Sequence, residues 1–314
     1  MEFAFVLGTG RCGSTLVHEV LARHPGVGFV SNLDNRFPAL NLKGRLNGPL
    51  YRALPGPMSG FTSSGTVAGW GAPQADAKGG RLRRRFGPAE AYDLVERRVG
   101  LAVRRPDRDL TEEDARGELG ARFRRFFTER ARAQRSPVFL HHFTGWPRAR
   151  FVQEALPGAR FVHVVRDGRA VASSFLRTAW WRGHDGPQGW GFGALPPAYG
   201  REWEESGRSK TVLAALQWKL LMDAFEAARE AVEPERWQEV RFEDLLASPR
   251  EEVARMLAFL GLEWTPGFER QFGRVAFRAG RRDAFAEELG RDDVALLDRT
   301  LGDHLERHGY ARVG

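Results

Sequence analysis

Cysteine is nearly absent: Cys12 is the only one in 314 residues. That excludes an intramolecular disulfide and any cysteine-rich metal site, and it suits a reducing compartment, so a cytoplasmic location is expected. A long apolar run is missing too. The longest uncharged stretch, residues 53–75, is broken by Gly, Pro and Ser and cannot cross a bilayer as a helix. Glu2 stands where a secretory leader would carry basic residues, and no small-residue cleavage site follows, so no leader is expected. No internal repeat is visible. What is abundant is arginine, the source of nearly all the basic excess behind a net charge of +8. Such a balance suits an anionic ligand, and nucleic acid or acidic polymers fit it as well. Apolar residues make up 42% of the chain, enough for a sizeable core.

The apolar pattern alternates short strands with helices. Residues 3–7, FAFVL, are apolar throughout and read as a parallel strand buried on both faces. Further strands are expected at 27–30, 137–142, 160–165 and 238–242. Helices are expected at about 14–23, 88–100, 111–134, 146–156, 168–177 and 209–232, with a mostly helical remainder. Asp167 can cap the helix that follows the fourth strand. Residues 44–80 hold 9 Gly and 4 Pro, which marks a long irregular excursion. Residues 178–208 form a second irregular stretch, rich in Trp, Gly and Pro. Strands alternating with helices indicate an α/β fold with a parallel sheet covered on both faces.

A lysine is missing where it would matter most. Residues 8–15 read GTGRCGST, nearly the phosphate-binding pattern G-x-x-x-x-G-K-[ST], but Ser14 occupies the lysine position and Arg11 brings a positive charge earlier in the loop. A strand, a glycine-rich turn and a helix start make an anion site. The first helical N–H groups lack intrahelical partners, and the helix dipole adds positive potential. A magnesium-bound triphosphate also needs an acid at the end of another strand. The third strand is expected to end in His141 and His142, and the fourth in Arg166 followed by Asp167. The loop therefore suits a phosphate better than a metal-bound triphosphate.

GTGRCGSTLVHEVLARHP resembles the donor loop of sulfotransferases that use 3′-phosphoadenosine-5′-phosphosulfate (PAPS), and VVRDGRAVASSFL resembles their second motif, which holds the 3′-phosphate. The resemblance is closest to the protein-tyrosine and carbohydrate branch. It implies a P-loop NTPase-like three-layer sandwich, with a central parallel sheet of about five strands flanked by helices. It further implies one sulfotransferase domain over 1–314, with an insertion around 36–135 and an acceptor-side loop around 178–208. The donor would be PAPS and the product 3′,5′-adenosine bisphosphate (PAP), with no metal. Residue by residue, it places Gly10, Arg11, Cys12, Gly13, Ser14 and Thr15 around the donor's phosphosulfate, with Arg11 at the breaking bond. Arg166 and Ser174 fall on the 3′-phosphate, with Ser173 as the neighbouring competitor. Phe242 falls on an aromatic position near adenine, or belongs to the core. Arg278 and Gly280 match a closing Arg-Lys-Gly loop in which Ala279 replaces the lysine.

A general base must take the acceptor's proton. Aligned backwards from VVRDGR, His141 falls where relatives carry a catalytic lysine; His142 would face the other side of the strand. Protein-tyrosine relatives use a glutamate after the first helix. That window holds Ser31 and Asn32 here, with Asp34 slightly beyond as a secondary candidate. Trp180, Trp181 and Trp190 are candidates for binding the acceptor, a small molecule, glycan or lipid. Arg81, Arg83, Arg84 and Arg85 form a solvated basic turn or steer an anion. Two other readings stand beside this one: a P-loop kinase with Asp167 on magnesium, and a basic nucleic-acid-binding protein. The latter lacks a recognisable binding motif, and its arginines are spread along the chain.

Overall fold

A computed structural model describes residues 1–54, 84–101, 107–277 and 284–311. The apolar strand at the start forms β1 (Glu2–Gly8) and lies at the middle of the sheet. It pairs in parallel with β3 (Val138–Thr144) on one side and β4 (Arg160–Val165) on the other. β2 (Val27–Phe29) pairs outside β3, and β5 (Trp237–Arg241) outside β4. The order β2-β3-β1-β4-β5 makes β1 the point where the chain switches direction across the sheet. Ligands of open α/β sheets bind at such points, outside the carboxyl ends of the strands. Residues 30–31 and 87–89 run antiparallel there, through Ser31 paired with Pro88 and Ala89 N–H donating to the Val30 carbonyl at 2.9 Å.

Strand alternation sorts the side chains onto two faces. Phe5, His141, Phe143 and Phe161 point one way, where Phe5 packs on Phe123 and Phe127 of α6 (Glu118–Gln134). On the same face His163 stacks on Phe225 of α10 (Lys210–Glu230), with ring centroids 4.1 Å apart. On the other face His142 meets α1 (Ser14–Leu21). One apolar core is continuous from Ala4 to Tyr310. From the segment around 36–135, α6 contributes to the layer that covers the sheet. Among the described residues, the helices before α6 also include α2 (Asn32–Arg36), α3 (Asn47–Ala53), α4 (Tyr92–Val99) and α5 (Glu112–Ala115). Among the described residues, no helix is long and apolar enough to cross a membrane.

Several boundaries differ from expectation for physical reasons. β3 runs two residues past His142, because Phe143 has an aromatic surface to cover and Thr144 still pairs with Gly8. The helix expected over 111–134 is two helices, since Gly117 takes φ +105°, outside the helical region, between α5 and α6. The stretch 178–208 is irregular only in part, because Pro197 at a first-turn position opens α9 (Pro197–Glu205). α7 (Ala149–Ala155) and α8 (Gly168–Leu176) follow β3 and β4.

Asp167 caps α8, its Oδ1 accepting the Arg169 N–H at 2.8 Å. The same carboxylate takes the Arg169 guanidinium in a fork, and Arg169 reaches on to Asp298 of α15 (Arg291–Arg307) at 2.7 Å and to the Ala311 carbonyl. This buried charge cluster ties the exit of β4 to the last described helix. Removing one member leaves buried carboxylates unpaired. Arg169→Ala is therefore expected to lower the unfolding free energy by roughly 3–5 kcal/mol in urea denaturation; a loss under about 1 kcal/mol would mean that solvent reaches the cluster.

Candidate active site

The turn after β1 is built from left-handed residues: Gly10 at φ +83°, Arg11 at +59° and Gly13 at +94°. Gly13 is also restricted by contact. A Cβ there would lie 2.2 Å from the Phe242 ring, which packs against the loop backbone. Phe242 opens α11 (Phe242–Ala247) directly after β5, so the edge strand delivers this ring to the loop. The Cys12 thiol tucks beneath the turn against Gly8, and the residue is fully buried. Thr15 is half-buried at the start of α1.

The two sequence motifs meet in direct contact. Arg11 Nε donates to Ser174 Oγ at 2.9 Å, across 163 residues of chain. Arg166 NH1 donates back to the Arg11 carbonyl at 3.1 Å, and its guanidinium lies 4.8 Å from the centre of the Phe242 ring. Two arginines, a serine hydroxyl and the start of α1 thus converge at the carboxyl ends of β1 and β4. An anion with several oxygens is what such a set can hold: guanidinium forks match phosphate and sulfate geometry, and curled backbone N–H groups supply further donors. Ser173, the competitor, is fully buried and takes a hydrogen bond from Arg177 at 2.6 Å, away from the loop.

The histidine pair exchanges its expected roles. The longer β3 moves both residues away from the strand end, and the register sends His141 to the phenylalanine face. His141 is fully buried beside Phe143 and Phe127, with centroids 4.7 and 5.1 Å away, and neither ring nitrogen has a hydrogen-bond partner among the described residues. It cannot reach the loop. His142 faces the loop instead, with Nε2 2.8 Å from Ser14 Oγ and Nδ1 3.5 Å from Glu90 Oε1. Burial drives both imidazoles down to about 3. Burial raises the Glu90 carboxyl to about 7, against the smaller opposing effects of Thr144 and Arg148. Glu90 was not a sequence candidate. It lies 52 residues before His142, in a segment without a motif, and only the antiparallel run at residues 87–89 brings it to the sheet.

Asp34 serves the fold. Its carboxylate closes a capping box with Ser31 and takes the Asn47 side-chain amide at 2.6 Å, all of it buried. Trp181 and Trp190 are core residues, their indole N–H groups spent on Gln217 Oε1 and the Gly193 carbonyl, each at 2.7 Å. Trp180 alone of the three is exposed, with Arg11 6.0 Å from its ring centre. Arg84 and Arg85 are exposed. Arg278 and Gly280, like Arg81 and Arg83, lie outside the described residues.

These groups set an acid sensitivity. His141, His142 and His18 are all held below the free imidazole value of about 6.5 by burial. A histidine depressed in the folded state contributes stability above its unfolded pKa and loses it as pH falls toward the folded value. Glu90, raised to about 7, and Asp109, raised by burial to about 6, act in the opposite sense until the unfolded carboxyls protonate near pH 4. Stability is therefore expected to fall from about pH 6.5 downward and most steeply below about pH 4.5, as read from urea midpoints across pH. His141→Leu removes two unpartnered buried nitrogens. It should leave stability at pH 7 unchanged or raised by about 1 kcal/mol, and should flatten the acid slope. A variant several kcal/mol less stable at pH 7 would show that His141 has a polar role.

The chain belongs to the sulfotransferase family, whose family model matches residues 73–266. The match takes in Glu90, His142, Arg166 and Ser174, while the loop at residues 8–15 precedes it. Among curated proteins the chain is similar to the omega-hydroxy-beta-dihydromenaquinone-9 sulfotransferase Stf3 of Mycobacterium bovis and of Mycobacterium tuberculosis. It is 28% identical to each over 184 residues, covering 57% of this chain and 42% of the relative. The chain thus spans less than half the length of these relatives. Among solved structures it is similar to sulfotransferase STF9 from Mycobacterium avium, with a TM-score of 0.51 and 13% identity over 99% of this chain and 78% of that one. At that identity the likeness is one of fold. A sulfotransferase domain from the curacin biosynthetic pathway aligns at a TM-score of 0.48 and 12% identity, covering 96% and 97% of the two chains.

Proposed function

We propose that this chain transfers a sulfuryl group from PAPS to the hydroxyl of an acceptor. Family membership supports the reaction class. The single observation that supports the donor is the contact between Arg11 and Ser174, which brings the two motifs that resemble donor-binding segments into one anion site. Arg11 and the start of α1 are assigned to the phosphosulfate. In the transition state negative charge grows on the bridging oxygen, and a guanidinium in the loop stabilises it more than it stabilises the ground state. Arg166 and Ser174 are assigned to the 3′-phosphate, and Phe242 supports Arg166 and the loop from below.

The kinase reading loses its metal ligand, because the Asp167 carboxylate is committed to Arg169 and to the cap of α8. For the acceptor, a hydroxylated apolar molecule is the first class to test. The similar curated proteins are named for an omega-hydroxylated dihydromenaquinone, and Trp180 offers an exposed aromatic face beside Arg11.

PAP should raise the melting temperature, whereas ATP with magnesium and a mixed oligonucleotide should not, since only a ligand selective for the native state stabilises it. Stabilisation by ATP with magnesium and none by PAP would return the kinase reading. Arg11→Ala should reduce turnover more than it weakens PAP binding, whereas equal losses would make Arg11 a plain binding residue. Arg166→Ala should cost roughly 1.5–3 kcal/mol in PAP binding and little in binding of 5′-AMP, which lacks the 3′-phosphate. Equal losses for both nucleotides would place Arg166 elsewhere on the ligand.

A further inference from the structure

We propose that Glu90 is the group that takes the acceptor's proton, and that His142 is the positioning residue that fixes its carboxylate against the donor loop through Ser14. The inference rests on the sulfuryl-transfer reading. Four observations carry it. Glu90 is brought to the carboxyl end of β3 by the antiparallel run with residues 30–31, one imidazole away from the loop hydroxyl. Its side chain keeps 20% of its surface open, while His142 keeps 1%, so of the two only Glu90 can meet an incoming molecule. Its surroundings are built rather than incidental: Thr144 bonds it, and Tyr92 bonds Thr144 at 2.6 Å from the other side. Finally, backbone strain collects around it. Of the six described non-glycine residues with positive φ, Ala91 follows Glu90 directly, Arg148 faces it from the start of α7, and Arg11 lies in the loop. Strained backbone of this kind persists where the surrounding structure over-determines it, and it clusters at functional sites.

The chemistry balances. The acceptor oxygen bonds to the donor sulfur while the bond from sulfur to the bridging phosphate oxygen breaks, and that electron pair stays on the phosphate of PAP. The hydroxyl proton passes to the Glu90 carboxylate and then to solvent. Neutral His142 holds Nδ1 3.5 Å from the Glu90 carboxylate and Nε2 2.8 Å from the Ser14 hydroxyl. The charged and titratable groups facing Glu90 are His142 from β3 and Arg148 from the start of α7. Behind them stand His18 on His142 and Asp109, which accepts the Arg148 backbone N–H at 2.7 Å. With its carboxyl raised to about 7, Glu90 is ionised above that pH and protonated below it. The rate should rise with pH through about 7 and level off.

The test uses the full chain, PAP as binding probe and PAPS with water as acceptor, following PAP formation across pH. Wild type should bind PAP, with a small proton uptake at pH 7 as the added anion raises the affinity of Glu90 for a proton. Glu90→Gln should bind PAP within about threefold of wild type, lose that uptake, and form PAP about 10²-fold more slowly with no rise through pH 7. His142→Asn keeps an amide N–H near the Nδ1 position and should retain the wild-type midpoint. His142→Phe replaces the polar neighbour of the carboxylate with an apolar ring and should shift the midpoint upward. A Glu90→Gln enzyme with normal turnover, or with the pH rise intact, overturns the inference and leaves the donor reading standing. Failure of wild type to bind PAP overturns both.

Discussion

The hydrogen bond from Arg11 to Ser174 is the contact on which the site depends. It joins the end of β1 to the second turn of α8, and so it demands that β4 lie next to β1 and that α8 leave β4 at a fixed angle. The capped and charge-paired start of α8 meets the second demand, with Asp167 and Arg169 anchored to α15. Much of the C-terminal half can be understood as support for that angle. Position is most of what a group-transfer enzyme without covalent chemistry of its own has to provide.

The loop also shows how one missing residue reorganises its neighbours. A lysine at position 14 would carry its charge on a long flexible stem. A serine there is short enough to sit buried against His142, and that places an imidazole and then a carboxylate in line behind the loop. The positive charge moves to Arg11, whose left-handed backbone turns its guanidinium toward α8. A guanidinium also remains charged at any pH a protein tolerates, so the charge of the loop is separated from the titration of the nearby Glu90 carboxyl.

What the sequence disclosed was mainly what is local. Strands β1 and β4 were legible because short apolar runs end in strong turn chemistry. The residues proposed for the donor could be named because loop and helix starts carry their candidates in consecutive positions. The histidine pair was misjudged because the end of β3 is set by its partners: Gly8 and the phenylalanine face hold the strand together for two more residues. Trp181 and Trp190 fill the core although their setting reads as surface loop, since tertiary packing decides what an aromatic side chain covers. Glu90 could not be found at all, because its place depends on pairing between residues 30–31 and 87–89, which lie far apart in the chain.

The adjacent imidazoles in β3 have a consequence for how the strand finds its place. A slip of one residue exchanges the two faces of a strand, and at one of these two positions it would replace an imidazole with an imidazole. That position alone cannot report a wrong register. That duty falls on Phe139 and Phe143, which would be thrown toward α1 while Leu140 and Thr144 took their places against α6. The aromatic layer on the far side of the sheet thus helps to set the alignment that presents His142 to the loop.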